Sequence, residues 1–440
     1  MKQKNQVLTE ERKETELGLL PNDWNVSTLG KVADYNLGRT PPRKEKKYWT
    51  NGTFPWVSIA DMRGNNLVVD TKERVSEEAL KNCFKDRISK KGTLLMSFKL
   101  TIGRTALLGI DATHNEAIIS IYPKKDLDKM FLFYYLPIVN YSKYMDRAIK
   151  GNTLNKSKID KIVVPLPPLA QQQNIAYILS TVQTTQEKTE RLVNSLKELK
   201  KSTMKHLFTY GAVSFEDKDK VKLKDTEIGK VPKEWEIDNL GNIFEVQQGK
   251  QLSSKESKEG KIKRPFLRTS NLLWGEINIS KLDYMYFTEK ELDKLKLKGE
   301  DILVCEGGDV GRTALWRGEL EDCTYQNHIH RLRPKKQNYD PTFFILWMQY
   351  AILDKQMYIQ TANRTTIPNI SSSRLKEFVI PFPSLAEQQQ IASILSSIDK
   401  KIEAEEQKQE ALGQLFKSLL HNLMSGKIRV KNFKMQEVRE

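Results

Sequence analysis

The side chains whose type and spacing could do chemistry gather first in two basic loops. After Gly38 the chain reads Arg39-Thr40-Pro-Pro-Arg43-Lys44-Glu-Lys46-Lys47-Tyr48-Trp49, and after Gly249 come Lys250, Lys255, Lys258, Lys261, Lys263 and Arg264. Clustered cations of this kind neutralise phosphates and position a module on a polyanion without reading its sequence. Lysine-rich loops are often only solvated, but their recurrence at equivalent places in two halves of the chain favours an anionic partner. Reading base edges needs amides, hydroxyls and guanidinium forks that reach into a groove. Ser58, Asp61 and Arg63, answered by Arg268, Thr269 and Asn271, follow matched apolar runs and are the first candidates. Arg104 and Arg312 follow matched turns. Asn152 and Thr153, with Asn363, Arg364 and Thr365, sit in polar loops ahead of a proline-rich stop. If the two halves read different sequences, they should share scaffold and phosphate contacts but not base contacts, which makes the unmatched Lys99 and Glu306 better discriminators.

Other chemistries fit poorly. Gly307-Gly-Asp-Val-Gly311-Arg312-Thr313 approaches a phosphate-binding loop, which needs Gly-x-x-x-x-Gly-Lys-Ser/Thr. Here Arg312 stands where lysine is required and Glu306 where the first glycine should be. The other copy, Lys99-Leu-Thr-Ile-Gly103-Arg104-Thr105, keeps only the Gly-Arg-Thr-Ala. A strand–turn–strand shared by both halves explains the motif better than a nucleotide-hydrolysing enzyme does. Cys323, His328 and His330 raise the question of zinc, since alternate strand residues face one way. The matched positions of the first half include Glu116 and Ile118, and five histidines and three cysteines are too dispersed for four ligands. No bound metal is expected. The Asn-Pro-Pro-Tyr/Phe signature of amino-methyltransferases is also missing, and no residue is assigned a catalytic role.

These loops are positioned by an architecture that the chain states twice. Glu16-Leu-Gly18-Leu-Leu-Pro21-Asn-Asp-Trp24-Asn-Val-Ser-Thr-Leu29-Gly30 returns 211 positions later as Glu227-Ile-Gly229-Lys-Val-Pro232-Lys-Glu-Trp235-Glu-Ile-Asp-Asn-Leu240-Gly241. Gly38 answers Gly249, Pro55-Trp-Val answers Pro265-Phe-Leu, and Gly103-Arg-Thr-Ala answers Gly311-Arg-Thr-Ala. A period this long is a duplicated domain with its connector and not a solenoid repeat. The totals agree with nucleic acid as the first candidate partner: Lys plus Arg number 72 against 56 Asp plus Glu, a net charge of +16. Three scattered cysteines, Cys83, Cys305 and Cys323, suit a reducing compartment. No signal peptide is visible, and the run Met130–Val139, broken by Pro137, is too short to span a bilayer and reads as a buried helix. A cytoplasmic protein is expected.

Each half passes from a strand-and-turn segment through a proline stop, Pro165-Leu-Pro167-Pro168 or Pro381-Phe-Pro383, into a long proline-free segment. Phe54-Pro-Trp-Val-Ser-Ile, Thr93-Leu-Leu-Met-Ser-Phe and Asp301-Ile-Leu-Val-Cys read as short strands. In the first long segment Ile175, Ile178, Val182, Thr185, Thr189, Leu192, Leu196 and Leu199 step by three and four. In the second, Ile391, Ile394, Ile398, Glu405, Leu412, Leu415, Leu419 and Leu423 occupy the matching heptad positions. This is a coiled-coil seam. Ser384 with Glu387 forms a capping box for the second helix, and each helix extends about 60 Å. The obvious partner of each is the other, packed antiparallel and separating the domains. The polar centre, Thr185, Thr189 and Glu405, either fixes register or is solvated where the helices splay. The fold class is therefore α+β, two similar globular domains separated by two long antiparallel helices with an internal pseudo-twofold repeat. The blocks are an extension 1–13, a first domain 14–168, a first helix 169–210, a linker 211–224, a second domain 225–384, a second helix 385–426 and a tail 427–440.

The stretch Pro-Leu-Pro-Pro-Leu-Ala-Gln-Gln-Gln-Asn-Ile-Ala (165–176) and its partner Pro-Phe-Pro-Ser-Leu-Ala-Glu-Gln-Gln-Gln-Ile-Ala (381–392) carry a resemblance that spans nearly the whole chain. With the Gly-x-x-Pro-x-x-Trp openings and the closing Leu-Leu-His-Asn-Leu-Met-Ser-Gly-Lys-Ile (419–428), the sequence resembles the specificity subunits of type I restriction–modification systems. The resemblance implies a non-catalytic subunit in which each globular segment is a target recognition domain for half of a bipartite double-stranded DNA target. It implies that the helices set the spacing and dock two methyltransferase subunits, that restriction subunits join the full complex, and that S-adenosylmethionine, ATP and Mg reside on those partners. The alternatives are the specificity subunit of a type IIB-like system and, from another class, a coiled-coil scaffold without specific DNA binding.

Overall fold

Short runs of β-branched and aromatic residues bounded by Gly, Pro and Asn form strands, whereas the long proline-free stretches have the composition and length of helices. The computed structural model describes residues 11–64, 66–145, 153–251, 259–335, 338–357 and 369–430. It divides into two compact units. Unit 1 is Met1–Thr189 with Lys408–Glu440, and unit 2 is Glu190–Gln407. This partition cuts across the sequence blocks, because each unit takes one stretch of both long helices.

In unit 1 a hairpin, β1 (Arg12–Thr15) and β2 (Gly18–Pro21), leads to β3 (Asn25–Thr28), which pairs antiparallel with β12 (Val163–Leu166). The main sheet has the order β4-β11-β8-β9-β6, built from β4 (Ala33–Leu37), β6 (Leu67–Val68), β8 (Leu94–Ser97), β9 (Thr105–Leu108) and β11 (Ile118–Pro123). A smaller sheet orders β10 (Thr113–His114), β5 (Phe54–Val57) and β7 (Glu73–Val75). Unit 2 repeats the plan. Its hairpin is β13 (Leu223–Thr226) with β14 (Gly229–Pro232), and β15 (Glu236–Asn239) pairs with β23 (Val379–Phe382). Its main sheet orders β16 (Phe244–Gln248), β22 (Ile329–Pro334), β19 (Asp301–Cys305) and β20 (Thr313–Trp316). The small sheet orders β18 (Asp283–Phe287), β17 (Ile262–Leu267) and β21 (Thr324–Tyr325). The expected strands and the buried helix are where the sequence placed them, the latter as Lys129–Tyr135 with Phe131 to Tyr135 buried. Its counterpart is Pro341–Gln349.

The long helices are Leu169–Tyr210 and Leu385–Met424. Within unit 1 the start of the first shares a core with the end of the second: Ile175 and Leu179 cluster with Leu423 and Met424, while Gly413 lies beside Gln186. Within unit 2 Lys197 meets Glu406 at 2.7 Å, Lys200 meets Asp399 at 2.7 Å, and Leu207 and Phe208 cluster with Ile391 and Leu395. Both stretches pair antiparallel. No helix among the described residues is long and apolar enough to cross a membrane.

The buried stripe differs from the heptads read off the sequence. Ile175, Ile391 and Leu423 are buried, and Val182, Leu196, Ile398, Leu412 and Leu419 are half-buried on it. Leu192, Leu199, Ile394 and Leu415 are exposed, and Ile178 is only half-buried. The intervening positions belong one residue later, to Leu179, Val193, Leu395 and Phe416, and Ile402 is buried between Ile398 and Glu405. Adjacent apolar pairs such as Ile178-Leu179, Leu192-Val193, Ile394-Leu395 and Leu415-Phe416 satisfy either phase, so periodicity alone could not choose between them. The polar centre is packed: Thr189 and Glu405 are buried, and Lys401 pairs with Glu405 at 2.7 Å.

The glutamine motif has a structural use. Gln172, fully buried, donates to the carbonyls of Asp126 and Pro167 and accepts from the Asp128 N–H, and Asp128 itself caps the helix Lys129–Tyr135. Gln388 repeats this with Asn338, Pro383 and the Asp340 N–H, Asp340 capping Pro341–Gln349. Gln388→Leu should therefore cost about 3 kcal/mol, since buried backbone groups lose their partners while the volume is kept. Urea unfolding of the variant against the parent measures it; a loss below about 0.5 kcal/mol would show that the amide contributes nothing there.

Candidate nucleic-acid interface

Short strands leave their connecting loops to carry whatever the molecule binds, and each sequence candidate among the described residues lies in or beside such a loop. Arg39 is exposed, with its backbone tied to the buried His114, while Thr40 bonds Glu116. Gly38 is required here because a Cβ would lie 2.1 Å from the Asn115 carbonyl; Gly249 approaches Tyr325 and Gln326 in the same way. Arg43 is not simply solvated. It forks onto the Glu73 carboxylate and stacks 3.9 Å over the Trp49 ring, and Glu73 raises its already high pKa. Trp49 in turn meets Trp56 edge to face at 5.1 Å. Lys44 is exposed, and Lys47 pairs with Glu78.

Lys250, the matched cation of unit 2, is a structural tie. Its ammonium is largely buried, donating to the Tyr286 carbonyl and to Glu291, each within 2.9 Å, below the Phe287 ring. Burial opposes ionisation of Glu291, and bonds from Thr288 and Lys250 hold its carboxyl below the usual range. Lys255 and Lys258 lie outside the described residues; Lys263 is exposed beside Tyr284, and Arg264 pairs with Asp322.

Of the first candidates for base reading, Asp61 and Asn271 shape turns with their side chains. Asp61 is buried and accepts from the Ser58 N–H, the Ser58 hydroxyl and the Lys72 N–H. Asn271 repeats the turn, accepting from the Arg268 N–H and donating to the Asn278 and Lys281 carbonyls. Their match across the halves is the match of a turn. Arg63 stays exposed, and Arg268 pairs with Asp283 at 2.7 Å with half of its side chain in solvent. Thr269 uses its carbonyl to hold Arg312.

Lys99, Arg104 and Thr153 come together. Lys99 and Thr153 form a β-bridge, and Arg104 closes the β8–β9 hairpin in whose loop Lys99 stands. Glu306 and Arg312 occupy the corresponding hairpin of unit 2. Arg312 is mostly buried between Asp309 and the Thr269 carbonyl, beside an open groove of about 480 Å³ lined partly by Trp274 and Gly308. Glu306 accepts from Gln248 and faces His328 and His330 at 3.8 and 3.9 Å. Cys305 and Cys323 are buried thiols, pushed up to about 11 and about 12 by desolvation. Among the described residues no three His, Cys, Asp or Glu side chains are grouped as metal ligands would be. Asn152, Asn363, Arg364 and Thr365 lie outside the described residues.

A two-unit α+β frame with paired long helices and loop-borne cations defines a class, and the comparisons place the chain within it. The model of the type I restriction modification DNA specificity domain matches residues 21–198 and again 232–414, so the chain belongs to that family and carries its recognition domain twice. It is 27% identical to the type I restriction enzyme MjaIX specificity subunit of Methanocaldococcus jannaschii over 96% of this chain and 97% of that one. The EcoBI specificity subunit of Escherichia coli is 25% identical over 66% of this chain and 64% of its own length. Among solved structures, the S subunit of a type I restriction-modification system from M. genitalium superposes with a TM-score of 0.54 at 17% identity, covering 91% of this chain and 96% of that one. The chain is a specificity subunit and not a catalytic one.

The loop after β4 rests on a titratable group. Burial lowers the His114 imidazole to a pKa of about 4. An unfolded chain protonates this histidine near pH 6.5 and the folded one does not, so stability held above pH 6.5 is lost as the pH falls towards 4. The group accounts for about 3 kcal/mol of that loss. His114→Gln should flatten the profile of urea midpoints between pH 7 and 4 by that amount; parallel profiles would show that His114 does not titrate differently on folding.

Proposed function

We propose that each unit reads one half of a bipartite double-stranded DNA target, and that the helices set the spacing between the halves and dock two methyltransferase subunits. The observation that carries this is a repeated frame with unrepeated side chains. The turns at Asp61 and Asn271, the glutamines 172 and 388 and the two hairpins correspond, while Lys99, Leu100 and Thr101 of one loop are replaced by Gly307, Gly308 and Asp309 in the other. Shared groups support scaffold and phosphate contacts, and unshared ones suit two different half-sites. Restriction subunits complete the assembly, and S-adenosylmethionine, ATP and Mg belong to the partner subunits. The exposed apolar residues Leu192, Leu199 and Ile394 on the helices suit protein docking better than solvent.

The purified chain alone should neither methylate nor cut DNA, and turnover of either kind tracking with the pure chain would refute the reading. Adding one heptad within 175–199 should alter the spacer length preferred by the assembled methyltransferase, or abolish assembly, while both half-site sequences stay as they were. Methylation-motif sequencing reads this directly, and an active complex with unaltered spacer preference would contradict it.

A further inference from the structure

Leu100 stands out in unit 1 for two independent reasons. Its backbone is left-handed, with φ of +63°, which an L-residue with a branched side chain rarely adopts. Its side chain is 79% exposed, more than any other large apolar residue among those described. The loop that holds it is tightly built. The Gly103 N–H bonds the Ser97 carbonyl at 2.8 Å, the Thr101 N–H bonds the Lys99 carbonyl at 2.8 Å, and the Ser97 hydroxyl bonds the Thr101 carbonyl. The Leu154 N–H secures Phe98 from the neighbouring segment at 3.0 Å. Unit 2 makes the same turn, with the Gly311 N–H on the Cys305 carbonyl and the Ile370 N–H on Glu306. At the position of Leu100 it has Gly308, with φ of +76°. Glycine meets the conformation without strain, so the fold does not need leucine there. A strained apolar residue that gains nothing by burial points to a role outside the fold.

The charge around it selects the ligand. Lys99 and Arg104 flank Leu100, and no acidic residue occurs between Asp86 and Asp111, whereas the unit 2 loop carries Glu306 and Asp309. An apolar tip between two cations fits duplex DNA, whose phosphates the cations meet while the tip reaches the bases. We propose that Leu100 is an apolar reader that unit 1 sets against the bases of its half-site, and that unit 2 reads without such a contact. This rests on the bipartite reading proposed above. The shared chemistry is the apolar surface of bases, offered either by an opened base step or by a thymine methyl group.

The test uses the specificity subunit assembled with its methyltransferase subunits and a duplex carrying the motif found methylated in the host. If the parent complex does not prefer this duplex to a scrambled one, the bipartite reading itself fails. Given that preference, Leu100→Gly and Leu100→Ala should each weaken binding about tenfold or more. They should flatten mismatch penalties across one half-site and leave the other unchanged. Leu100→Gly should melt no lower than the parent, which separates lost reading from lost folding. Fluorescence of 2-aminopurine placed along the half-site identifies an opened step, and thymine-to-uracil replacement identifies a methyl contact; a Leu100-dependent response in either supports the proposal. Unchanged half-site discrimination in both variants overturns it. So does a loss of methyltransferase assembly with discrimination intact, which would make Leu100 a protein contact.

Discussion

Each unit depends on a buried indole whose N–H must find an acceptor within the protein. Trp24 donates to Gln171 at 3.2 Å and Trp235 donates to Glu387 at 3.0 Å, both acceptors standing in the first turn of a long helix. The other long helix ends against the same corner, Gly426 beside Pro21 and Trp24, and Gly211 beside Glu387 and Pro232. The ring thus holds a hairpin, one helix start and one helix end together. A buried indole contributes through its large apolar area, and its unpaired N–H would cost about 1–3 kcal/mol. The next residue in each motif, Gln172 or Gln388, then ties the helix start to the cap of the unit's short buried helix. Glu387 also explains why the expected capping box is only half formed. The Ser384 hydroxyl accepts from the Glu387 N–H, but the Glu387 carboxylate is engaged by Trp235 and the Ala212 N–H.

With the frame secured by these polar groups, many cations and amides that looked available are already engaged. Lys250 is buried on Glu291, Arg43 is forked onto Glu73, and Asp61 and Asn271 shape turns. Among the described candidates, what remains for a partner is a thinner set: Arg39, Lys44, Arg63 and Lys263 exposed, Lys99 and Arg104 at the β8–β9 hairpin, and the partly exposed Arg268. Arg312 holds its own loop instead. The two hairpins therefore differ in character, one cationic with an apolar tip, the other glycine-rich and acidic over an open groove.

Much of this was legible in the sequence. Long-range identity of Trp, Pro and Gly exposed the duplication, because those residues tolerate few substitutes at corners and close approaches. Family membership was legible for the same reason, from the glutamine-rich helix starts. Helix phase was not, since adjacent apolar pairs satisfy two stripes and only contact with the partner helix chooses Leu179 over Ile178 or Val193 over Leu192. Site residues were the least legible. A matched Asp or Asn after a strand looks the same whether its side chain faces a groove or closes a turn on its own backbone. Leu100 is not legible from sequence either, because an apolar residue in a polar loop stands out only through its backbone angle and exposure.

By itself, then, the sequence determined the repeat, the α+β class and the long helices, because each depends on composition and spacing that any conformation must respect. Tertiary structure decided which face of each helix is buried, which charges are neutralised internally and which side chains stay exposed. Those depend on distances between residues far apart in the chain, and a hydrogen bond or ion pair at 3 Å is decided by packing that no local pattern encodes.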